Sequence, residues 1–373
     1  GSGGNSVEQA IRFHEQGGVV TFCWHWNAPN EYLKAGTDNG NPRWWGGFYT
    51  RNSTFDIAKV MNGEDPDGKA AIDRDIEEIA KQLKRLDNAG TPVLWRPLHE
   101  ASGGWFWWGT DKDSYLDLWK LMYDRLTNYH ELNNLIWVWN GQVPSYYPGD
   151  EYVDIISEDI YNSANDNQPN AEKFFTANEY TDASKIVALS ETGTLMDPDE
   201  AFDINAKWSY FCSWTGQYSA LGEYNNADDR AIWKKVYNSD KVITLSELPN
   251  LKTYPIDDDI PATSVSLNSS EQDIMPGDKI YLAATFAPQN ATEIPTWTSS
   301  DTSVATVNES GAVTAIGIGE TVITCTIANG KTATCVVTVN PPQVQNLAVK
   351  SSTGSSVTLT WDAIEAADDY EVM

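Results

Sequence analysis

The sequence predicts an eight-stranded α/β barrel followed by a smaller all-β sandwich. One observation carries the barrel. Over residues 1 to about 255, apolar runs of strand length alternate with amphipathic helical stretches. Continuous apolar strands separated by helices form a parallel sheet covered by helices. A second observation carries the sandwich. After Pro255 the texture changes to short Thr-, Val- and Ser-rich runs separated by turn residues, which is the pattern of an all-β domain.

Taken in order, SVEQAIRFHEQGG opens with Ser6 and Gln9, a capping box, and closes on glycine. GVVTFCW follows as a buried strand. Ile72, Ile76, Ile79, Leu83 and Leu86 then fall on one stripe of a helix that Gly90 stops. After the VLWRPL strand, Asp113 is the expected cap of a helix through SYLDLWKLMYDRLTNYH. NLIWVWN, YVDIISEDIY, KIVALSE and SYFCSW complete the series. The barrel strands are thus expected at 19–24, 93–98, 135–139, 153–160, 186–190 and 209–214. That is six strands where a closed barrel of this kind has eight. Two strands are expected to be absent from this count, leaving an open seam between 19–24 and 209–214 with Phe22 and Phe211 partly uncovered. SVSLN, DKIYLAATFAP, PTWTSSD, VATVNESGAVTAIGIGE and TVITCTIANGKTATCVVTV supply the sandwich. A third unit, NLAVKSSTGSSVTLTWDAIEAADDYEV, stops after about two strands.

Composition narrows the partners. The chain has 53 acidic and 25 basic residues, a net charge of −28, so nucleic acid and anionic membrane surfaces are excluded as partners. A neutral polysaccharide is not repelled. Sixteen Trp and seventeen Tyr favour carbohydrate, because flat rings stack on the apolar faces of sugars. No signal peptide or membrane span is visible, and GSGGNS resembles a linker remnant. The four cysteines, Cys23, Cys212, Cys325 and Cys335, match no zinc spacing. Cys23 and Cys212 are expected as buried thiols. Cys325 and Cys335 flank a turn at Asn329-Gly330, where a disulfide is open but not implied.

The most informative segment is VLWRPLHEASGGWFWWG. An apolar strand ends in His99 and Glu100, and a glycine-bearing loop with Trp105, Trp107 and Trp108 follows. KIVALSETG repeats the theme, ending in Glu191. Glycoside hydrolysis usually needs two carboxyls on either side of the scissile bond, and barrel enzymes carry catalytic groups at the carboxyl ends of strands. The bland alternative is satisfied strand-end glutamates and a tryptophan-rich core, most live for Trp45, Trp107 and Trp108.

With WHWNAP before and SWTGQY and KVITLSELP after, these motifs resemble glycoside hydrolase family 26 over about residues 5 to 252. The resemblance implies a (β/α)8 TIM barrel and retaining hydrolysis, most often of β-1,4-mannan, with no cofactor and no metal. It implies Glu100 as acid/base, Glu191 as nucleophile and Tyr161 as the residue orienting that nucleophile. It also implies substrate contacts from His25, Trp44, Trp45, His99, Trp105, Asp154 and Trp214. WTSSD, VATV and GAVTAIGIGETVIT resemble a group 2 bacterial immunoglobulin-like domain, and the last segment resembles the start of a fibronectin type III domain. The expected domains are therefore 1–255, an N-terminally truncated catalytic barrel, then 262–340 and 344–373.

The expected activity is a retaining endo-β-1,4-mannanase acting on mannan, galactomannan or glucomannan. The alternatives are a β-1,3-1,4-glucanase or xylanase of the same mechanism, and a non-catalytic carbohydrate-binding surface protein. The expected setting is a monomer, secreted or at a bacterial cell surface, with polysaccharide as partner.

Overall fold

The structure, a computed structural model, describes residues 5–181, 185–220, 222, 229–251, 260–288, 291, 295–309, 311–341 and 346–362. It divides into two compact units, Gly1–Tyr254 and Pro255–Met373.

The first unit is built on one six-stranded parallel sheet. Its strands are β1 (Val20–Cys23), β2 (Val93–Arg96), β3 (Leu135–Trp139), β4 (Ile155–Ile160), β5 (Ile186–Thr192) and β6 (Phe211–Ser213), in that spatial order. Sequential order with parallel pairing throughout is the winding of a (β/α) barrel. Here it forms a curled half-barrel whose edges are β1 and β6. Phe22 and Phe211, on those edges, are only partly buried, as the open sheet requires. At the carboxyl ends side chains cross the gap: His25 after β1 and Trp214 after β6 bring their rings to 6.1 Å.

The helices follow from local chemistry. Asp65 caps the helix Pro66–Asn88 by accepting from the Gly68 N–H, with proline at the first turn. Its buried face carries Ile72, Ile76, Leu83 and Leu86, and Gly90 follows at φ +64°. Two expected caps are corrected. The helix Ser6–Glu15 starts without any side-chain cap bond, so Ser6 and Gln9 form no capping box. The helix Lys112–Tyr123 is capped by Asp111, not Asp113, because Asp111 stands three residues before Ser114, whose N–H it accepts at 2.9 Å. That helix continues as a π-helical turn, Asp124–Tyr129. The core between sheet and helices is aromatic, with Trp95, Trp107, Trp108, Trp119 and Trp139 fully enclosed.

The second unit is all-β. One sheet orders Glu271–Ile274, Thr332–Val339, Gly319–Thr326 and Thr296–Ser299; another orders Lys279–Tyr281, Ala312–Ala315 and Ala305–Val307. Strand Gly319–Thr326 alternates buried and half-buried positions, placing Ile323 and Cys325 in a core with Val313, Cys335 and Val337. Both cysteines are free thiols. Their register explains why: Cys325 faces Ala333, and Cys335 faces Ile323. Cys23 and Cys212 are free as well and only partly buried. The strands Ala348–Ser352 and Val357–Thr360 pair antiparallel.

Candidate active site

Three strands deliver charged side chains to one place at the carboxyl end of the sheet. The β2 strand contributes Arg96, and the chain just beyond it Glu100; β4 contributes Asp159, and β5 contributes Glu191. One carboxylate oxygen from each of Glu100, Asp159 and Glu191 lies within 4.8 Å of the others. Arg96 is buried among them. It donates through Nη1 to Asp159 Oδ2 at 2.8 Å and through Nη2 to Glu191 Oε1. Among the described residues this acidic cluster is the group placed to share a cation, and the guanidinium already fills that role for Asp159 and Glu191.

Glu191 is fixed at both oxygens. Arg96 holds one, and the Tyr161 hydroxyl donates to Oε2 at 2.6 Å. Glu191 is buried, whereas Tyr161 is 38% exposed, so the tyrosine forms part of the site wall. Burial pushes the Tyr161 hydroxyl well up, and the Glu191 charge adds to that, keeping it a donor.

Glu100 is held differently. Its backbone sits at φ +50°, as does Leu98, a left-handed conformation that costs a non-glycine residue on the order of 1–3 kcal/mol. The Glu100 N–H donates to Asn140 Oδ1 at 2.8 Å. Asn140 is itself buried and donates to the Ser157 carbonyl at 3.0 Å. The Glu100 side chain accepts from the Trp105 indole N–H at Oε2, 2.9 Å. Burial raises the Glu100 pKa above its ordinary value, the Glu191 charge raises it further, and the indole bond opposes both. Asp159 is also raised, first by burial, with Arg96 pulling the other way. An anchored carboxylate, Glu191, therefore faces one, Glu100, whose pKa lies above its ordinary value.

The surroundings are aromatic. His99 is buried among His25, Phe106 and Trp108, with ring centroids at 4.6, 5.0 and 5.7 Å. Burial drives its pKa far down, so it stands there neutral. His25 is lowered for the same reason, and its Nδ1 lies 3.7 Å from the Cys23 sulfur. Trp105 is 42% exposed. Trp214 is half-buried, and its N–H donates to the Thr192 carbonyl at 2.9 Å. Trp44 and Trp45 stand exposed in an edge-on pair on the turn Arg43–Gly46. That turn leads into a segment joined to the Trp105 loop by the Thr50 N–H to the Trp105 carbonyl, 2.8 Å.

Glu100, Glu191, Tyr161, His25, His99, Trp105 and Trp214 thus gather at one end of the sheet. Asp154 does not. It precedes β4, at the amino end of the sheet, where its carboxylate accepts from the Trp137 N–H at 2.7 Å. The carboxylate of that strand that reaches the site is Asp159, five residues on. Trp107 and Trp108 belong to the core, donating to the carbonyls of Trp26 and His99. Arg96, Asn140 and Asp159 join the site without having been expected from the sequence. Each stands at or just past the carboxyl end of its strand, Arg96 after VLW, Asn140 after IWVW and Asp159 in IISED.

The family described as glycosyl hydrolase family 26 matches residues 1–247, and bacterial Ig-like domain (group 2) matches residues 261–337. A mannan endo-1,4-beta-mannosidase of Thermothelomyces thermophilus is 44% identical over 249 residues, covering 66% of this chain and 50% of its own length. The Podospora anserina GH26-CBM35 beta-(1,4)-mannanase has a similar fold, with TM-score 0.61, 42% identity, and coverage of 66% of this chain and 54% of that one. A beta-mannanase from a symbiotic protist of the termite Reticulitermes speratus, solved with a gluco-manno-oligosaccharide, follows at TM-score 0.55 and 35% identity, covering 65% and 72% of the two chains. The chain spans about half the length of the curated relatives it matches.

Proposed function

The chain belongs to glycosyl hydrolase family 26, and from that premise we propose that it is a retaining endo-β-1,4-mannanase. The observation that supports this most is the placement of Glu100 and Glu191, with carboxylate oxygens within 4.8 Å at the carboxyl ends of their strands. Retaining glycosidases place the two carboxyls about 5–5.5 Å apart, and inverting ones roughly 6.5–9.5 Å.

Glu191, held by Arg96 and Tyr161, attacks the anomeric carbon as a carboxylate. The glycosidic C–O bond breaks, and Glu100 gives its proton to the leaving oxygen. Glu100, now ionised, takes a proton from water; the hydroxyl oxygen attacks the same carbon, and the bond to Glu191 breaks. The raised pKa of Glu100 suits the first step, which needs its proton. Trp105 orients Glu100, and Trp214 offers a ring face beside His25 for the sugar being cleaved. Trp44 and Trp45 extend the aromatic surface outward.

We read the substrate as β-mannan, because the relatives compared are named as mannan-degrading enzymes. The protein acts outside the cell, where the polymer is, as a monomer, and the Ig-like unit with a fibronectin-like segment after it serves as an accessory. Reducing-sugar release from mannan, galactomannan, glucomannan, mixed-linkage glucan and xylan tests the reading. Release from the mannans alone is expected. Release only from glucan or xylan reassigns the polymer, and binding without release from any polymer makes it a carbohydrate-binding protein.

A further inference from the structure

Gly193 stands two residues beyond Glu191, immediately after β5, and is buried. Its N–H donates to the Ile160 carbonyl at 3.3 Å, which ties the end of β5 to the residue before Tyr161. Its φ is not among the positive ones, so the backbone there would accept any side chain. Space would not. A Cβ at this position would lie 3.1 Å from Cδ1 of Tyr161 and 3.1 Å from Cδ1 of Tyr218. The two tyrosine rings lie against one another, with centroids 5.0 Å apart and planes at 58°. Tyr218 closes the short 3-10 turn Gly216–Tyr218 that follows β6. The Tyr161 ring is therefore seated between a bare α-carbon and a second ring, with its hydroxyl 2.6 Å from Glu191.

We propose that Gly193 and Tyr218 are positioning residues that together hold Tyr161 on the nucleophile. This deepens the glycosidase reading and rests on it. The lever is geometric. Cδ1 lies near the pivot of a tyrosine side chain and the hydroxyl at its far end, so a small displacement beside Gly193 is larger at Oη. A hydrogen bond that is lost to a charged acceptor removes an interaction whose strength depends steeply on distance and angle. The Tyr218 ring, packed against that of Tyr161, blocks it from swinging away.

The test is a set of variants assayed on the polymer that the wild-type chain hydrolyses. Gly193→Ala is expected to lower kcat roughly ten- to a hundredfold, the range for a lost bond to a charged group, with KM changed little. Tyr218→Ala should behave likewise. In a Tyr161→Phe background, Gly193→Ala should cost nothing further. Wild-type kcat in Gly193→Ala overturns the proposal, as does an undiminished loss in the Tyr161→Phe background. A crystal structure of Gly193→Ala decides independently of turnover. Tyr161 Oη drawn out of hydrogen-bond range of Glu191 is expected, and a bond kept at 2.6 Å refutes it. If the wild-type chain hydrolyses no polymer, the functional reading fails, and the crystal structure still judges the packing.

Discussion

Glu158 lies next to Asp159 on β4 but points to the other face of the sheet, where it is 1% exposed. Its Oε1 is 2.8 Å from the Tyr180 hydroxyl, which is also 2.9 Å from the Gln142 carbonyl. With Glu158 ionised, two acceptors compete for one hydroxyl proton. With Glu158 protonated, the carboxyl can donate to Tyr180 and Tyr180 to Gln142, so every group is satisfied. Burial accordingly raises Glu158 from 4.5 to about 7, against the opposing Tyr180 bond. The folded state thus binds the proton more tightly than the unfolded state. Stability is undiminished below about pH 4.5, falls as pH rises toward 7, and carries the full cost above that. The gap corresponds to about 3 kcal/mol at pH 8. Glu158→Gln keeps an acceptor and a donor and removes the titration. It should raise the melting temperature at pH 8 by roughly 5–10 °C for a unit of this size, and change it little at pH 4.5. Near-UV circular dichroism isolates the right transition, because only Trp297 and Trp361 of the sixteen tryptophans lie outside the first unit. A gain of equal size at both pH values, or destabilisation at pH 8, refutes the reasoning.

Other outcomes follow from the site. Trp105→Phe removes the donor that favours the Glu100 carboxylate, so Glu100 should titrate at higher pH and the basic limb of the rate profile should move up, measured as kcat/KM against pH. Arg96→Ala leaves Asp159 and Glu191 buried without their cation, which should destabilise the unit by about 3–5 kcal/mol in a urea titration. Trp214→Ala should raise KM more than it lowers kcat if the ring binds sugar; equal loss in both ground and transition state binding is read from initial rates. Thiol titration of the denatured, unreduced chain should find all four cysteines free, given the mismatched register of Cys325 and Cys335.

Much of the barrel was legible because buried parallel strands are nearly all apolar. LIWVW at 135–139 has the same limits in sequence and structure. The ends of other strands were less legible. YVDIISEDIY suggests a strand from 153, yet pairing begins at Ile155, since Asp154 uses its carboxylate to accept from the Trp137 N–H. That local bond also explains why Asp154 was misplaced: a polar residue at the wrong end of a strand looks the same in sequence as one at the right end. Cap identity depends on which residue stands three before a free N–H, and Asp111 and Asp113 both offer a carboxylate before the same helix. The two glutamates stood out because each ends an apolar run. Arg96 and Asp159 did not, because their partnership is made between strands 63 residues apart, a pairing only the folded sheet creates. Tryptophan alone could not separate core from site: Trp105 and Trp107 are two residues apart, one half-exposed and one enclosed.

With Glu191 as the nucleophile of a retaining reaction and Glu100 as its acid/base partner, a 2-deoxy-2-fluoro-mannoside with a good leaving group should trap the covalent intermediate, which such a substrate is slow to leave. Mass spectrometry should then find one added glycosyl unit per chain, on the peptide that carries Glu191, and none in Glu191→Ala. Labelling of Glu100 or Asp159 instead, or hydrolysis of mannan with inversion and no labelled chain, refutes Glu191 as the nucleophile.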